Sequence, residues 1–329
     1  MDFAETPKLE LHLHIEGAMP PDFARRLADE KDIDLGGLFD DRGAYAYRDF
    51  FHFLQVYDKA CSVLQTPRDY ARLTGEILRR SAGDGVIYTE MFLSPDFCGG
   101  GDLGAWQEYL AAIEEAARTA EARHGIVMRA VVTAVRHLGP EQAKSAARCA
   151  AETAGAFLTG FGMAGDETRG RAGDFAWAFD CAREAGLGLT SHAGEWAGPE
   201  SVRETLDALR PARIGHGVRA AEDPALVARL AEAGTVLEVC PGSNIALGLY
   251  PDWAAHPVAR LRAAGVKVTL STDDPPFFHT RLPFEYARMA EAFGWEPADF
   301  TEMNRAAAAA AFCDAATRAA LLKRLEDAT

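Results

Sequence analysis

The segment Leu9-Glu10-Leu11-His12-Leu13-His14 has the pattern of a buried strand that ends in two histidines. Side chains alternate along a strand, so His12 and His14 point to the same side. Seven further apolar or β-branched runs follow, and with the first they give eight candidate strands at 9–14, 86–93, 126–135, 157–163, 187–192, 213–216, 235–239 and 266–271.

Helical patterns rich in Ala, Glu and Arg separate most of these strands, at 105–123, 141–153, 174–185, 201–209, 223–233 and 259–264. Eight strands alternating with helices predict an α/β fold of the (β/α)8 barrel type, and no Gly-x-Gly-x-x-Gly follows the first strand to favour a dinucleotide fold. A long helical excursion at 15–85 and a helical tail at 283–328 exceed a minimal barrel. We expect one domain over 1–329, with the excursion as a lid.

Composition narrows the class of protein. The chain has 329 residues, of which 48% are hydrophobic and 25% charged, and its net charge of −15 argues against nucleic-acid and anionic-membrane partners. The six scattered cysteines form no C-x-x-C pair, which is typical of reduced thiols in a cytoplasm. An acidic N-terminus without a signal peptide, and the lack of any apolar run of about 18 residues, predict a cytoplasmic protein with no membrane span.

Histidines and an aspartate lie where candidate strands end, which in such barrels is the carboxyl-terminal face that carries function. His12 and His14 end the first strand, His192 the fifth, His216 the sixth, and Asp273 follows the eighth. Three imidazoles and one carboxylate make a site that zinc accepts, with a position left for water. A two-metal site would need a modified lysine on the fourth strand, and 157–163 has none, so a single zinc ion is favoured.

Two carboxylates accompany this group. Glu195 follows the strand that delivers His192 and is a candidate proton donor, although it could instead be a helix-start glutamate stabilised by the helix dipole. Pro275 and Pro276 end the last strand and hold Asp274 extended, so that it turns into the cavity; alternatively it caps the next helix.

These segments together resemble the adenosine deaminase family, a branch of the amidohydrolase barrels. The matching pieces run in family order from about residue 7 to about residue 312: Pro7-Lys8-Leu9-Glu10-Leu11-His12-Leu13-His14, Met163-Ala164-Gly165-Asp166-Glu167, His192-Ala193-Gly194-Glu195, Arg213-Ile214-Gly215-His216-Gly217, Leu237-Glu238-Val239-Cys240-Pro241 and Ser271-Thr272-Asp273-Asp274-Pro275.

The resemblance implies the role of each site residue. It implies one zinc ion on four ligands, His12, His14, His192 and Asp273. Glu195 would protonate N1 of a purine, and His216 would act as base and orient the attacking water. The substrate contacts would be His14, Glu16, the backbone N–H of Gly165 at N3, and Asp274, which would accept a hydrogen bond from the N7 side.

Glu16 stands where family members that act on nucleosides carry an aspartate that contacts the sugar. Relatives that deaminate free adenine have glutamate there, whereas the loop 164–167 resembles the nucleoside type. The aromatic segment 50–54 matches a lid over the ribose, or else a core-facing amphipathic helix.

Weighing these features, we expect zinc-dependent deamination of adenosine and 2′-deoxyadenosine, in purine salvage. The alternatives are free adenine, a modified 6-aminopurine nucleoside and, more remotely, a non-catalytic binding protein. In this interpretation Glu16 lies at the cavity rim and accepts hydrogen bonds from ribose hydroxyls. Free adenine would then leave the carboxylate short of partners, at about 1–3 kcal/mol.

Overall fold

Eight parallel strands form a single sheet whose order follows the chain, as seen in a computed structural model that describes residues 3–328. The strands are β1 Lys8–His14, β2 Val86–Leu93, β3 Val127–Val135, β4 Leu158–Ala164, β5 Gly188–Ala193, β6 Arg213–His216, β7 Val236–Val239 and β8 Lys267–Leu270. The last strand returns to the first, because the backbone of Asp273 exchanges hydrogen bonds of 3.1 Å with His12 and His14. The predicted (β/α)8 barrel is confirmed, and each strand agrees with its predicted bounds to within one residue.

Thirteen α-helices are found among residues 3–328. They are α1 Pro21–Lys31, α2 Phe50–Cys61, α3 Pro67–Gly83, α4 Leu103–His124, α5 Pro140–Glu152, α6 Ala176–Glu184, α7 Pro199–Ala208, α8 Pro224–Ala233, α9 Pro241–Ala246, α10 Val258–Ala263, α11 Leu282–Phe293, α12 Pro297–Ala310 and α13 Ala315–Asp327. Proline begins many of them, since its fixed φ suits the first turn and its missing N–H costs nothing there. The predicted helix at 174–185 begins instead as a 3₁₀ turn at Ala172–Phe175.

The excursion after β1 supplies α1, α2 and α3. Helix α2 lines the cavity at the carboxyl-terminal end of the barrel, whereas α3 packs against α4 and β2. Their starts follow from capping: the side chain of Asp49 accepts the His52 N–H, and Thr66 forms a reciprocal capping box with Asp69. The tail supplies α11, α12 and α13. Ala307, Ala308 and Leu321 from this tail pack on Leu9 and Leu11 of β1.

Among residues 3–328, no helix combines the length and the apolar character needed to cross a bilayer.

Candidate active site

Four side chains converge where strands end. His12 and His14 lie at the end of β1, His192 lies on β5, and Asp273 follows β8. Their ligand atoms all lie within 4.8 Å of one another. The Nε2 atoms of His14 and His192 are 3.3 Å apart, and Asp273 Oδ1 lies 3.2 Å from His14 Nε2. The structure therefore brings together the four residues that the sequence predicts as metal ligands.

The chemistry of this group fits a divalent cation. Nε2 of His12 is buried without a hydrogen-bond partner, 3.5 Å from Asp273 Oδ1, which is costly unless something binds it. Burial lowers the pKa of His14 and of His192, so these rings are neutral, as metal ligands must be. Burial also lowers the pKa of His12, but the neighbouring carboxylates of Asp273 and Glu238 outweigh it and raise that pKa to about 9. The pocket thus favours a positive charge next to His12.

A second group that could hold a metal shares one residue with the first. It consists of His216, Cys240 and Asp273. Burial raises the pKa of the Cys240 thiol well above its usual range, so the thiolate that a metal needs is disfavoured. The His3Asp group is the better metal site.

Unusual backbone angles let two of these side chains reach the cavity. Asp273 has φ +67° and His216 has φ +58°, a left-handed conformation that non-glycine residues rarely adopt. Such a conformation costs about 1–3 kcal/mol and persists where surrounding contacts enforce it. Here the β8–β1 backbone hydrogen bonds and the Ser243 hydroxyl, 2.8 Å from Asp273 Oδ2, hold the aspartate in place.

Glu195 lies on a loop held by a second glutamate. The carboxylate of Glu167 accepts backbone N–H groups from residues 194–197, including Trp196 at 2.8 Å, and the Ser201 hydroxyl. Burial raises the pKa of Glu195 well above its usual value, and the charges of Asp273 and Glu167 add to the effect. Its surroundings therefore favour the protonated form of Glu195. It precedes α7 by several residues, so the alternative of a helix-start glutamate is not what the structure has.

His216 faces Glu195 and the metal ligands. Its Nε2 lies 3.8 Å from Glu195 Oε2 and 3.8 Å from Asp273 Oδ2, and its Nδ1 is 3.4 Å from the Asn244 side-chain nitrogen. Burial lowers the pKa of His216 to about 3. A neutral imidazole at this position can accept a proton.

Asp274 turns into the cavity beside Asp273 and caps no helix. It is 6% exposed, its Oδ1 has no hydrogen-bond partner, and the following helix α11 begins only at Leu282. A side chain at Gly17 would overlap Asp274 Oδ1, so the glycine is needed for this close approach. Burial, the Asp273 charge and the Glu195 charge raise the pKa of Asp274 well above its usual value. In its protonated form it would donate, not accept, a hydrogen bond.

A cavity of about 470 Å³ opens next to this group. Among the residues that line it are the predicted substrate and proton-transfer residues, namely His14, Glu16, Gly165, Glu195, His216 and Asp274. Phe50, Phe53 and Leu54 of α2 line it too, so the aromatic segment faces the cavity while Phe53 also packs in the core. Gly165 has φ +99°, and a side chain there would come within 2.8 Å of His137 Nδ1.

Glu16 is buried, contrary to the prediction that it lies at the rim. It is 3% exposed, the Tyr70 hydroxyl donates to Oε1 at 2.9 Å, and the Tyr57 hydroxyl lies 3.5 Å from Oε2. Burial raises the pKa of Glu16 to about 7, although these hydrogen bonds oppose the shift. Sequence reasoning missed both tyrosines, because Tyr57 lies beyond the aromatic segment 50–54 and Tyr70 lies on α3, away from the motifs.

The chain also matches the family model described as adenosine deaminase over residues 7–328. It belongs to the adenosine deaminase family. This membership makes it a hydrolase that acts on a purine amidine, so the remote alternative of a non-catalytic binding protein has no support.

Several family members are similar over almost their whole length. An adenine deaminase from Rhizobium leguminosarum bv. trifolii is 53% identical over 318 residues, covering 97% of this chain and 98% of the relative. One from Agrobacterium fabrum is 51% identical over 321 residues, covering 98% of each.

Solved structures agree with this family assignment. The crystal structure of an adenine deaminase from Arthrobacter aurescens superposes with a TM-score of 0.90 at 28% identity, covering 98% of both chains. An amidohydrolase from Burkholderia ambifaria, crystallised with bound zinc, has a TM-score of 0.85 at 27% identity, covering 99% of this chain and 92% of that one.

Proposed function

We propose that this family member deaminates free adenine. Adenine, which the sequence analysis gives as an alternative, thus replaces adenosine as the main substrate. The contact between Glu16 and Tyr70 carries the proposal. Ribose hydroxyls were expected to be the partners of a buried Glu16 carboxylate. Tyrosine hydroxyls already contact this carboxylate. Binding of free adenine, which has no ribose, would therefore not leave Glu16 without hydrogen-bond partners. The adenine deaminases that are 51–53% identical support the same substrate.

We propose that one zinc ion is held by His12, His14, His192 and Asp273. When bound, such an ion supplies a Lewis acid that lowers the pKa of water toward neutrality. The burial of His12, His192 and Asp273, the partial burial of His14 and the zinc-bound structural relative support this assignment.

The remaining residues divide the proton transfers. Glu195, which carries a proton because of its burial, donates it to N1 of the purine. His216, neutral because of its burial, orients the water and accepts its proton. Asp274 and the Gly165 backbone hold the base at N7 and N3. Water oxygen bonds to C6 and the C6–N bond breaks. The proton accepted by His216 passes to the departing amino nitrogen, and the proton on the new C6 hydroxyl returns to Glu195, so that ammonia and hypoxanthine leave.

Adenosine, 2′-deoxyadenosine or a modified 6-aminopurine nucleoside forms the second candidate. The observation in its favour is the size of the cavity, about 470 Å³, with an apolar wall from Phe50 and Leu54 beyond the polar residues. In either case the partner is a small molecule.

The six cysteines are all free, and this supports the proposal of a cytoplasmic location.

The test is ammonia release from adenine, adenosine and 2′-deoxyadenosine by zinc-loaded protein, with zinc measured by elemental analysis. We expect about one zinc per chain and a much higher kcat/KM for adenine. A higher kcat/KM for adenosine would overturn the free-base proposal in favour of the nucleoside. Protein without stoichiometric metal that still turns over would overturn the metal site.

A further inference from the structure

We propose that Arg213 is a positioning residue for the metal site, acting from the floor of the barrel through Glu238 on the ligand His12. The inference rests on the proposed metal site. It also assigns a role to the C-terminal segment around Phe312, which lies beneath the barrel and contacts Arg213. The residues that make this path, Phe312, Arg213 and Glu238, are not among those that line the substrate cavity.

Glu238 on β7 is the link to the metal ligand. It is completely buried, its Oε2 lies 2.9 Å from His12 Nδ1, and its Oε1 accepts the Thr190 hydroxyl at 3.0 Å. An imidazole that donates its Nδ1–H to a carboxylate presents the lone pair of Nε2 to a metal. That Nε2 is the orphaned atom of His12 that faces Asp273. Glu238 thus fixes both the tautomer and the orientation of His12.

Arg213 on β6 in turn fixes Glu238. Its guanidinium is 1% exposed; Nε donates to Glu238 Oε1 and Nη2 donates to Glu90 Oε2. A third bond runs from Nη1 to the backbone oxygen of Ala310 at 2.8 Å. One rigid cation therefore neutralises two buried carboxylates and ties them to the end of α12. Lysine could not reproduce this fork, since its ammonium is a point charge.

Phe312 holds the guanidinium from below. The guanidinium carbon Cζ of Arg213 lies 3.5 Å from the centroid of the Phe312 ring. The backbone N–H of Phe312 donates a hydrogen bond to Glu90 Oε1. Gly160 and Gly188, on β4 and β5, leave the space for this ring, because a side chain at either would overlap it. Phe312 therefore packs against β4 and β5 at the two positions where these strands have glycine.

These contacts make a continuous path from the C-terminal segment to a metal ligand. Loss of the guanidinium would leave Glu90 and Glu238 buried without the cation that both of them contact, which is strongly unfavourable. Glu238 would then shift away from its position 2.9 Å from His12 Nδ1, and His12 would lose the contact that sets its orientation. The expected consequence is weaker metal binding, with the four ligands themselves unchanged.

The experiment compares zinc dissociation constants by chelator competition for wild type, Arg213→Lys and Arg136→Lys. Arg136 is the matched control, because it is also buried but donates to the backbone oxygens of Arg169 and Gly170, away from His12. We expect Arg213→Lys to raise the zinc Kd about 10–100-fold, the usual effect of losing an outer partner of a metal-bound histidine. Arg136→Lys should leave the zinc Kd at its wild-type value.

Thermal unfolding with and without zinc separates positioning from a purely structural role. A structural loss lowers the Tm of both forms equally, whereas weaker metal binding shrinks the rise in Tm that a fixed zinc concentration produces. Phe312→Leu keeps an apolar side chain under the Arg213 guanidinium, and it should raise the zinc Kd by a smaller factor than Arg213→Lys does. This second variant tests the inference even if Arg213→Lys does not fold. Unchanged zinc Kd and an unchanged zinc-induced rise in Tm in both variants would overturn the inference. Absence of tight zinc binding by wild type would instead overturn the metal site itself.

Discussion

Glu195 reaches the cavity on a loop rather than a helix, and its proton is the one the proposed reaction needs first. Glu195→Gln keeps the shape of the side chain and removes the acid. We expect kcat to fall about 10²–10⁴-fold, as for a lost general acid, with zinc content unchanged. Steady-state kinetics and elemental analysis on the same preparation measure both.

His192→Ala is the matched control for the Glu195 substitution. It removes a ligand, so both zinc content and turnover should fall. If Glu195→Gln sheds zinc as well, Glu195 is part of the metal site and the proton-donor assignment is wrong.

Gly17 controls where Asp274 lies. Gly17→Ala would force the Asp274 carboxylate out of its position, because the new methyl group overlaps Oδ1. We expect kcat/KM to fall about tenfold to a hundredfold, the effect of losing a buried hydrogen bond of ~1–3 kcal/mol, with zinc retained. Gly75→Ala on α3 is the control, since a side chain there meets nothing within 4 Å, and it should keep wild-type kinetics. Equal kinetics in both variants would remove Asp274 from the substrate site.

Helices α2 and α3 present Tyr57 and Tyr70 to Glu16, and we expect these contacts to influence the choice between adenine and adenosine. Tyr70→Phe removes the 2.9 Å bond and frees Oε1, whereas Tyr57→Phe removes only the 3.5 Å contact. We expect Tyr70→Phe to lower the ratio of kcat/KM for adenine to that for adenosine, and Tyr57→Phe to change it less. The ratio is measured with both substrates on one preparation. If the ratio of the two kcat/KM values is unchanged in Tyr70→Phe, Glu16 does not distinguish adenosine from adenine through the sugar.

The elements themselves could be predicted, and many of their contacts could not. Strand positions follow from short apolar runs, and the structure moves none of their ends by more than one residue. The start of α6 was misplaced, because Ala172–Phe175 satisfies its backbone in a 3₁₀ turn before the helix proper. The four candidate metal ligands could be predicted as a group because they lie at the ends of strands or, for Asp273, just beyond one. The bond from Tyr70 to Glu16 was not, since it joins residues 54 apart and depends on how α3 packs.

At the scale of the whole molecule, the net charge of −15 and the buried acids both make stability depend on pH. Glu285 on α11 is the clearest case outside the metal site. It is completely buried, with the Gly242 N–H at 3.0 Å and the Thr280 hydroxyl at 2.6 Å as its donors. Burial raises its pKa from 4.5 to about 8, although these hydrogen bonds oppose the shift.

A raised pKa in the folded state means that the folded protein binds the proton more tightly than the unfolded chain does. The stability from Glu285 is therefore fully present below about pH 4.5 and is lost as pH rises through about 8. Glu285→Gln keeps one of the two acceptor oxygens and removes the titration. Its free energy of unfolding should therefore fall less than that of wild type between about pH 5 and about pH 8.5, which covers most of the interval from about 4.5 to about 8. Urea unfolding of zinc-loaded protein across this range measures the difference. Glu291→Gln, on the same helix and exposed, makes the same change in net charge and should keep the wild-type slope. Parallel slopes for wild type and Glu285→Gln would show that Glu285 is already ionised in the folded protein.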